Sequence, residues 1–292
     1  MQIQKSFESR EVGTLYIVPT PIGNLEDITY RALSILKSSH VIAAEDTRNT
    51  KKLLNYFDIH VPLISYHEYS EMTRDTEIVN RLQAGEQVAI VSDAGMPAIS
   101  DPGSRIVAAA IAEDLPVVVL PGASAALCAV VGSGLDTNRF LFYGFLPRKK
   151  KERKHALEGL RKERATLIFY ESPHRLKEML FALSEVLGNR RIVLARELTK
   201  KFEEYVRGSV EEILHWVETT ALKGEFVVIV EGASDELIAE DEVSVWWKAL
   251  SIEDHVEQLM EEDNISSKEA IKRVATERNL PKREVYQAYH IN

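Results

Sequence analysis

Short β-branched runs that alternate with segments of helical period predict an α/β protein: two α/β domains followed by a small C-terminal helical segment. Two further observations agree. The longest apolar runs, such as Val117–Leu120, have the length of buried strands and fall well short of the ~18 residues of a membrane helix. With 292 residues, 45% of them apolar and 28% charged, the chain is long and apolar enough for about two ordinary domains with sizeable cores.

Along the first half, strands are expected near Thr14–Pro19, His40–Ala44, Leu63–Tyr66, Gln87–Ser92 and Pro116–Leu120. Helices are expected between them at Asp27–Lys37, Thr47–Phe57, Met72–Ala84 and Pro102–Glu113, with Asp27 and Asp101 as N-caps and Pro102 at a first helical position. The small-residue stretch Gly122–Gly134 marks the boundary, which puts the first domain at 1–125 and the second at 126–234. The second set of strands falls near Phe140–Phe145, Thr166–Tyr170, Arg191–Leu198, Tyr205–Gly208 and Phe226–Glu231. Its helices fall near Lys151–Lys162, Leu176–Leu187 and Ser209–Val217. Residues 235–292 read as an acidic linker and then two helices, Ser266–Glu277 and Lys282–Tyr289, in the outline of a helix-turn-helix.

The formal net charge of −9 is unevenly spread. From Asp235 to Asp263 there are eleven acidic residues against one basic, Lys248; from Asn264 to Asn292, six basic against three acidic. The body is nearly balanced and carries a basic cluster, Arg148-Lys149-Lys150-Lys151-Glu152-Arg153-Lys154. The sum therefore does not exclude a polyanionic partner, for which Arg148, Lys149, Lys150, Lys151, Arg153 and Lys154 are candidate phosphate contacts, or equally a solvated helix face. The single cysteine, Cys128, permits no internal disulfide, and the eight histidines have no metal-ligand spacing, so no metal is expected. The first residues are polar, without the apolar core of a secretory signal, and a cytoplasmic location is expected.

Four loops follow expected strands, where open α/β sheets bind ligands. They are Pro19–Asp27, Ser92–Gly103, Pro121–Ala126 and Tyr170–Arg175. The first is neither a Gly-x-Gly-x-x-Gly fingerprint nor a Walker loop. The second combines two glycines, two prolines and a doubled acidic-glycine pattern: Ser92-Asp93-Ala94-Gly95-Met96-Pro97-Ala98-Ile99-Ser100-Asp101-Pro102-Gly103. Taken singly, each is also compatible with an ordinary strand-to-helix turn. Two charged clusters, Glu45-Asp46-Thr47-Arg48 and Arg196–Lys201, follow other strands and read equally well as internal ion pairs.

In this order, the loops resemble those of the tetrapyrrole methylase superfamily. The resemblance is carried by Tyr16–Asp27, Ala44–Arg48, Ser92–Gly103, Pro121–Ser124, Tyr170–Arg175 and Lys223–Phe226, and covers essentially the whole chain. It implies two α/β domains with S-adenosylmethionine in the cleft between them, and a homodimer. Carried onto matching positions, it implies cofactor contacts at Ile22, Asp93, Ala94, Gly95, Met96, Ile99, Gly122, Ala123, Ser124, Tyr170 and Glu171. Ser92–Gly103 departs from the Gly-Asp-Pro loop of the tetrapyrrole enzymes. That departure points to the branch that methylates the ribose 2'-oxygen of a decoding-centre cytidine in 16S rRNA of the small ribosomal subunit. A ribose hydroxyl is a poor nucleophile while protonated, so a base or charge stabiliser is expected, with Glu45, His174 and Lys200 as candidates and Asp46 and Arg175 as positioning groups. Methylation of a tetrapyrrole precursor, or a non-catalytic helix-turn-helix ligand sensor, are the competing expectations.

Overall fold

The computed structural model describes residues 2–6, 11–67, 71–238, 247 and 250–291. Five strands, β1 (Leu15–Ile17), β2 (Val41–Ala44), β3 (Leu63–Ser65), β4 (Val88–Val91) and β5 (Val117–Val119), form one sheet in the order β3-β2-β4-β1-β5. All four pairings are parallel. β2 and β4 are buried throughout, because helices cover both faces. The two-residue period of a strand sends Val41, Ala43, Val88 and Ile90 toward helices α3 (Glu71–Gln83) and α4 (Ser104–Ala112). Ile42, Ala44, Ala89 and Val91 face α1 (Tyr30–Ser38) and α2 (Thr47–Tyr56). From β1 the chain moves toward β2 and β3, and from β4 it returns toward β5. The strand order thus reverses beside the β1–β4 pair, where a ligand crevice opens at the carboxyl ends.

The second sheet contains β6 (Phe140–Phe145), β7 (Thr166–Glu171), β8 (Arg191–Arg196), β9 (Glu204–Ser209) and β10 (Phe226–Val230), in the order β6-β7-β10-β8-β9. Only β6 and β7 are parallel, in contrast to the all-parallel first sheet. The physical reason is that β10 inserts antiparallel between β7 and β8, while β8 and β9 pair as consecutive antiparallel strands. One face packs on α6 (Lys150–Glu158), α7 (Pro173–Leu187) and α8 (Val210–Thr219) through Leu157, Met179, Leu183, Ile213 and Val217. The other face, with Ile168, Val193, Val227 and Ile229, packs on α5 (Ala125–Ser133) and receives Ile22 from the first sheet's leading loop. Both sheets lie in one compact unit, Met1–Gly232.

Two expected caps are replaced. Thr29, not Asp27, caps α1 by accepting from the Ala32 N–H at 3.0 Å, and Asp27 lies in a preceding 3-10 turn. α4 starts after Gly103 (φ 139°) with no side-chain cap, so Asp101 does not act as an N-cap. The second compact unit, Ala233–Asn292, contains helices Ile252–Asp263, Ser267–Glu277 and Lys282–Ile291 around Val256, Leu259, Ile271, Val274 and Val285. Part of the expected acidic linker is therefore a helix with a buried face; residues 239–246 and Lys248 lie outside the described residues.

β6 carries a bulge between Phe142 and Gly144, where Gly144 has φ 79°. A Cβ on Gly144 would stand 3.1 Å from Ser100 Oγ, so this glycine lets the β4 loop approach the second sheet. Gly144→Ala is expected to cost about 1–2 kcal/mol in urea unfolding, from left-handed strain and the tight approach together.

Candidate active site

A cavity of about 440 Å³ opens where the strand ends of the two sheets converge. The first sheet contributes Ile22, Glu45, and Asp93 to Met96 with Ile99, Ser100 and Asp101 from the β4 loop. The second contributes Phe145, Tyr170 to Pro173, Ala195, Glu197, Leu198, Lys200 and Glu225 to Val227, and Ser124 and Ala125 begin α5 between them. Loops one and two are joined by an antiparallel bridge: the Thr20 N–H donates to Gly95 O at 2.9 Å and the Gly95 N–H to Thr20 O at 3.0 Å. Thr20 Oγ1 also donates to Ser92 O, and Ser92 Oγ to Gly95 O, both at 3.2 Å. Gly95 has φ 82°, which suits glycine, and its Cβ position would lie 3.2 Å from Ile22 Cγ2.

Two lining loops hold non-glycine residues in the left-handed region. These are Ala98 (φ 68°) and Ser100 (φ 61°) after β4, and Glu197 (φ 49°) and Thr199 (φ 65°) after β8. Such conformations cost on the order of 1–3 kcal/mol each and concentrate at functional sites.

The cavity is rich in carboxylates. Burial pushes the Glu45 carboxyl up, the negative charges of Asp93 and Asp46 add to that, and His67 opposes it. Burial, reinforced by Glu45 and Asp93, raises Asp101 to about 7. Asp93 accepts from the Asp46 N–H at 3.2 Å and Asn49 Nδ2 at 3.1 Å, which ties the β2 and β4 loops together. Glu171 is buried and is raised by that burial, against a 2.8 Å hydrogen bond from the Ser172 N–H and the guanidinium of Arg175 at 3.4 Å. Burial also raises the Tyr170 phenol. Among the described residues, no group of three or more such side chains could hold a metal ion.

Of the expected cofactor contacts, Ile22, Asp93, Ala94, Gly95, Met96, Ile99, Ser124, Tyr170 and Glu171 line this cavity, and Gly122 and Ala123 do not. Gly122 instead packs against the first loop: a Cβ there would lie 2.6 Å from Pro19 Cβ. Among the expected bases, Glu45 and Lys200 line the cavity, but His174 is exposed on α7 outside it. Burial disfavours the Lys200 ammonium, yet its hydrogen bonds to Glu197 Oε1 at 3.0 Å and Glu225 Oε2 at 3.1 Å outweigh that and raise its pKa. Lys200 therefore stays protonated and supplies positive charge rather than a base. Asp46 and Arg175 do not line the cavity; Asp46 caps α2 and pairs with Arg48.

In the basic cluster, Arg153 is 4% exposed, with its guanidinium on Glu178 at 3.1 Å, so it is a structural ion-pair member and not a surface contact. Lys149 and Lys154 pair with Glu152 and Glu185 at 2.9 and 2.6 Å. Arg148, Lys150 and Lys151 are exposed. Sequence reasoning missed Asp101, Ser100 and Phe145 as pocket residues. The signal for the first two lay in the repeated Ser-Asp of the β4 loop; Phe145 reaches the site only through tertiary packing.

The family profile "Tetrapyrrole (Corrin/Porphyrin) Methylases" matches residues 14–214. The chain belongs to the tetrapyrrole methylase family. Among curated members, it is 52% identical over 99% of both chains to "Ribosomal RNA small subunit methyltransferase I" of Halalkalibacterium halodurans. It is 51% identical to the Bacillus subtilis protein of the same name, over 99% of this chain and 98% of that one. The fold is also that of known structures. A cobalt precorrin-4 methyltransferase of cobalamin biosynthesis superposes with TM-score 0.57 at 17% identity, over 75% of this chain and 94% of that chain. A diphthine synthase superposes with TM-score 0.58 at 13% identity, over 78% and 94%.

Within this family site, Gly122 sets the spacing of the first and third loops. Gly122→Ala is expected to lower stability by about 1–3 kcal/mol through overpacking against Pro19. The check is chemical denaturation, read beside the distance between the two loops in a crystal structure of the variant.

Proposed function

We propose that this protein is an S-adenosylmethionine-dependent methyltransferase of small-subunit ribosomal RNA, and that it methylates the 2'-oxygen of a cytidine ribose in the decoding centre of 16S rRNA. The observation that carries this is full-length similarity, at about half identity, to relatives named ribosomal RNA small subunit methyltransferase I. The cavity suits the cofactor chemically. Glu45 and Asp93 offer negative charge to a sulfonium and an ammonium. Ile22, Ile99, Tyr170 and Val227 offer apolar walls to a purine, and Ala94, Gly95 and Ala125 let it lie close to backbone. When bound, the cofactor supplies an electrophilic methyl carbon. The residues of this chain hold the acceptor in line with it and take up the hydroxyl proton.

Arg148, Lys150 and Lys151 stand on the segment just after the cavity residue Phe145 and would meet RNA phosphates. A homodimer is part of the same proposal. Val119, Leu127 and Val131 are 55%, 50% and 74% exposed on β5 and α5, an apolar set that a second copy would cover. Action on ribosomes places the protein in the bacterial cytoplasm; no helix among the described residues is long and apolar enough to cross a membrane.

The deciding experiment incubates the protein with methyl-labelled S-adenosylmethionine and small subunits from a strain lacking the gene. Label is expected at one ribose 2'-position of 16S rRNA, located by nuclease mapping; label in a tetrapyrrole and none in RNA would overturn the proposal. Asp93→Arg should abolish cofactor binding in calorimetry, because a guanidinium then faces the sulfonium. Replacing Arg148, Lys150 and Lys151 by alanine should raise KM for subunits about tenfold and flatten its salt dependence, with cofactor affinity unchanged.

A further inference from the structure

The acceptor hydroxyl must lose its proton, and of the three bases expected from the sequence only Glu45 reaches the cavity able to accept one. A second carboxylate able to accept one is Asp101. Asp101 lines the cavity on the β4 loop, beside Ser100, which packs against the Gly144 bulge of the second sheet. It senses Glu45 and Asp93 on the first-sheet side and Tyr170 on the second. Asp101 thus lines the cavity where its neighbour Ser100 reaches the second sheet, whereas Glu45 follows β2 of the first sheet.

The other acidic groups of the cavity are committed. Asp93 accepts from Asp46 and Asn49, Glu171 from Ser172, Glu197 from Lys200 and the Glu225 N–H, and Glu225 from Lys200. Asp101 makes no hydrogen bond or ion pair with any described residue. It does not cap α4, and the left-handed residues Ala98 and Ser100 turn the chain immediately before it.

We propose that Asp101 is the general base of the transfer and takes the proton from the acceptor hydroxyl. This rests on the reading of the protein as a 2'-O-methyltransferase. In the balanced step the oxygen–methyl bond forms as the carbon–sulfur bond breaks, the bond's electron pair leaves on sulfur as a neutral thioether, and the hydroxyl proton ends on Asp101 Oδ. Burial and the charges of Glu45 and Asp93 set the carboxyl at about 7, where a base is both largely available and strong enough to accept. Below that pH Asp101 is protonated and idle, so the rate should rise with pH through neutrality and level off above it.

The test compares wild type, Asp101→Asn, Asp101→Glu and Glu45→Gln in the full-length protein. Asp101→Asn should bind S-adenosylhomocysteine in calorimetry with affinity within about threefold of wild type, yet lose about 10²–10³-fold in kcat on small subunits. It should also lose the rise through neutrality, and Asp101→Glu should restore part of both. Infrared difference spectra of the ligand-free protein should show a carboxylic acid band titrating near neutrality in wild type and not in Asp101→Asn, a readout that needs no turnover. Wild-type rate and pH profile in Asp101→Asn would overturn the assignment, as would loss of cofactor binding, which would make Asp101 part of the cofactor's seat. Loss of the pH limb in Glu45→Gln alone would move the role to Glu45. If wild type itself leaves 2'-hydroxyls unlabelled, the functional reading fails and the inference falls with it; labelling by wild type and by Asp101→Asn alike sinks the inference alone.

Discussion

Two backbone hydrogen bonds between Thr20 and Gly95 join the loops that leave the carboxyl ends of the neighbouring strands β1 and β4. Parallel strands end in peptide groups that lack ladder partners, and a buried end must satisfy them elsewhere. Here each loop satisfies the other, with the Thr20 hydroxyl closing Ser92 O and the Ser92 hydroxyl adding a second bond to Gly95 O. The bridge fixes where the chain goes next. Ile22, two residues on, enters the apolar cluster of Ile168, Val193 and Val227 on the second sheet. Asn24 then donates its N–H to Thr199 Oγ1 at 3.0 Å, on the loop that carries Lys200. A pocket between two separately built sheets depends on such crossings, and most of those made by the first loop start at this bridge.

The pocket concentrates negative charge in a partly dry space, an arrangement that works against folding unless something answers it. Lys200 answers for Glu197 and Glu225, and Arg175 and Ser172 answer for Glu171. Asp93 is answered by N–H groups of the β2 loop. Asp101 has no such partner among the described residues and Glu45 is opposed only by His67, and burial with the neighbouring negative charges leaves both raised. Uncompensated carboxylates that face a cavity are the feature expected of a site whose missing charge arrives with a cation. The same tension divides the acids into those that shape the pocket and those free to act in it.

Much of this was legible in the sequence because local chemistry decided it. The strands of the first sheet end within two residues of where β-branched runs and turn residues place them, and the Ser92–Gly103 loop declared itself by composition. Element boundaries set by competing caps were less legible: Thr29 takes the cap of α1 from Asp27, and Gly103 that of α4 from Asp101. The antiparallel entry of β10 into the second sheet could not be read, since pairing partners distant in sequence leave no local trace. Arg153 looked like a surface cation in a run of cations, and only packing of α6 against α7 buried it on Glu178. The acidic run before the last helices read as a linker because its charges hid Val256 and Leu259, which form part of a small core.

Solved structures that differ from this chain at more than four positions in five keep its fold, so the two sheets do not by themselves specify a reaction. The parallel sheet supplies a rigid crevice, and its loops supply chemistry. Asp101 and Glu45 sit on such loops, at places where a strand's register is already fixed and side chains can change without disturbing a core. On the proposed reading the acceptor is a ribose hydroxyl, which must surrender a proton as its oxygen attacks. On that reading, a second Ser-Asp pair at the far end of the β4 loop meets the demand without altering any strand. The residues that separate one methylase from another are therefore best sought where the loop crosses to the opposite sheet, beside Ser100 and Gly144, rather than in the strands that carry it.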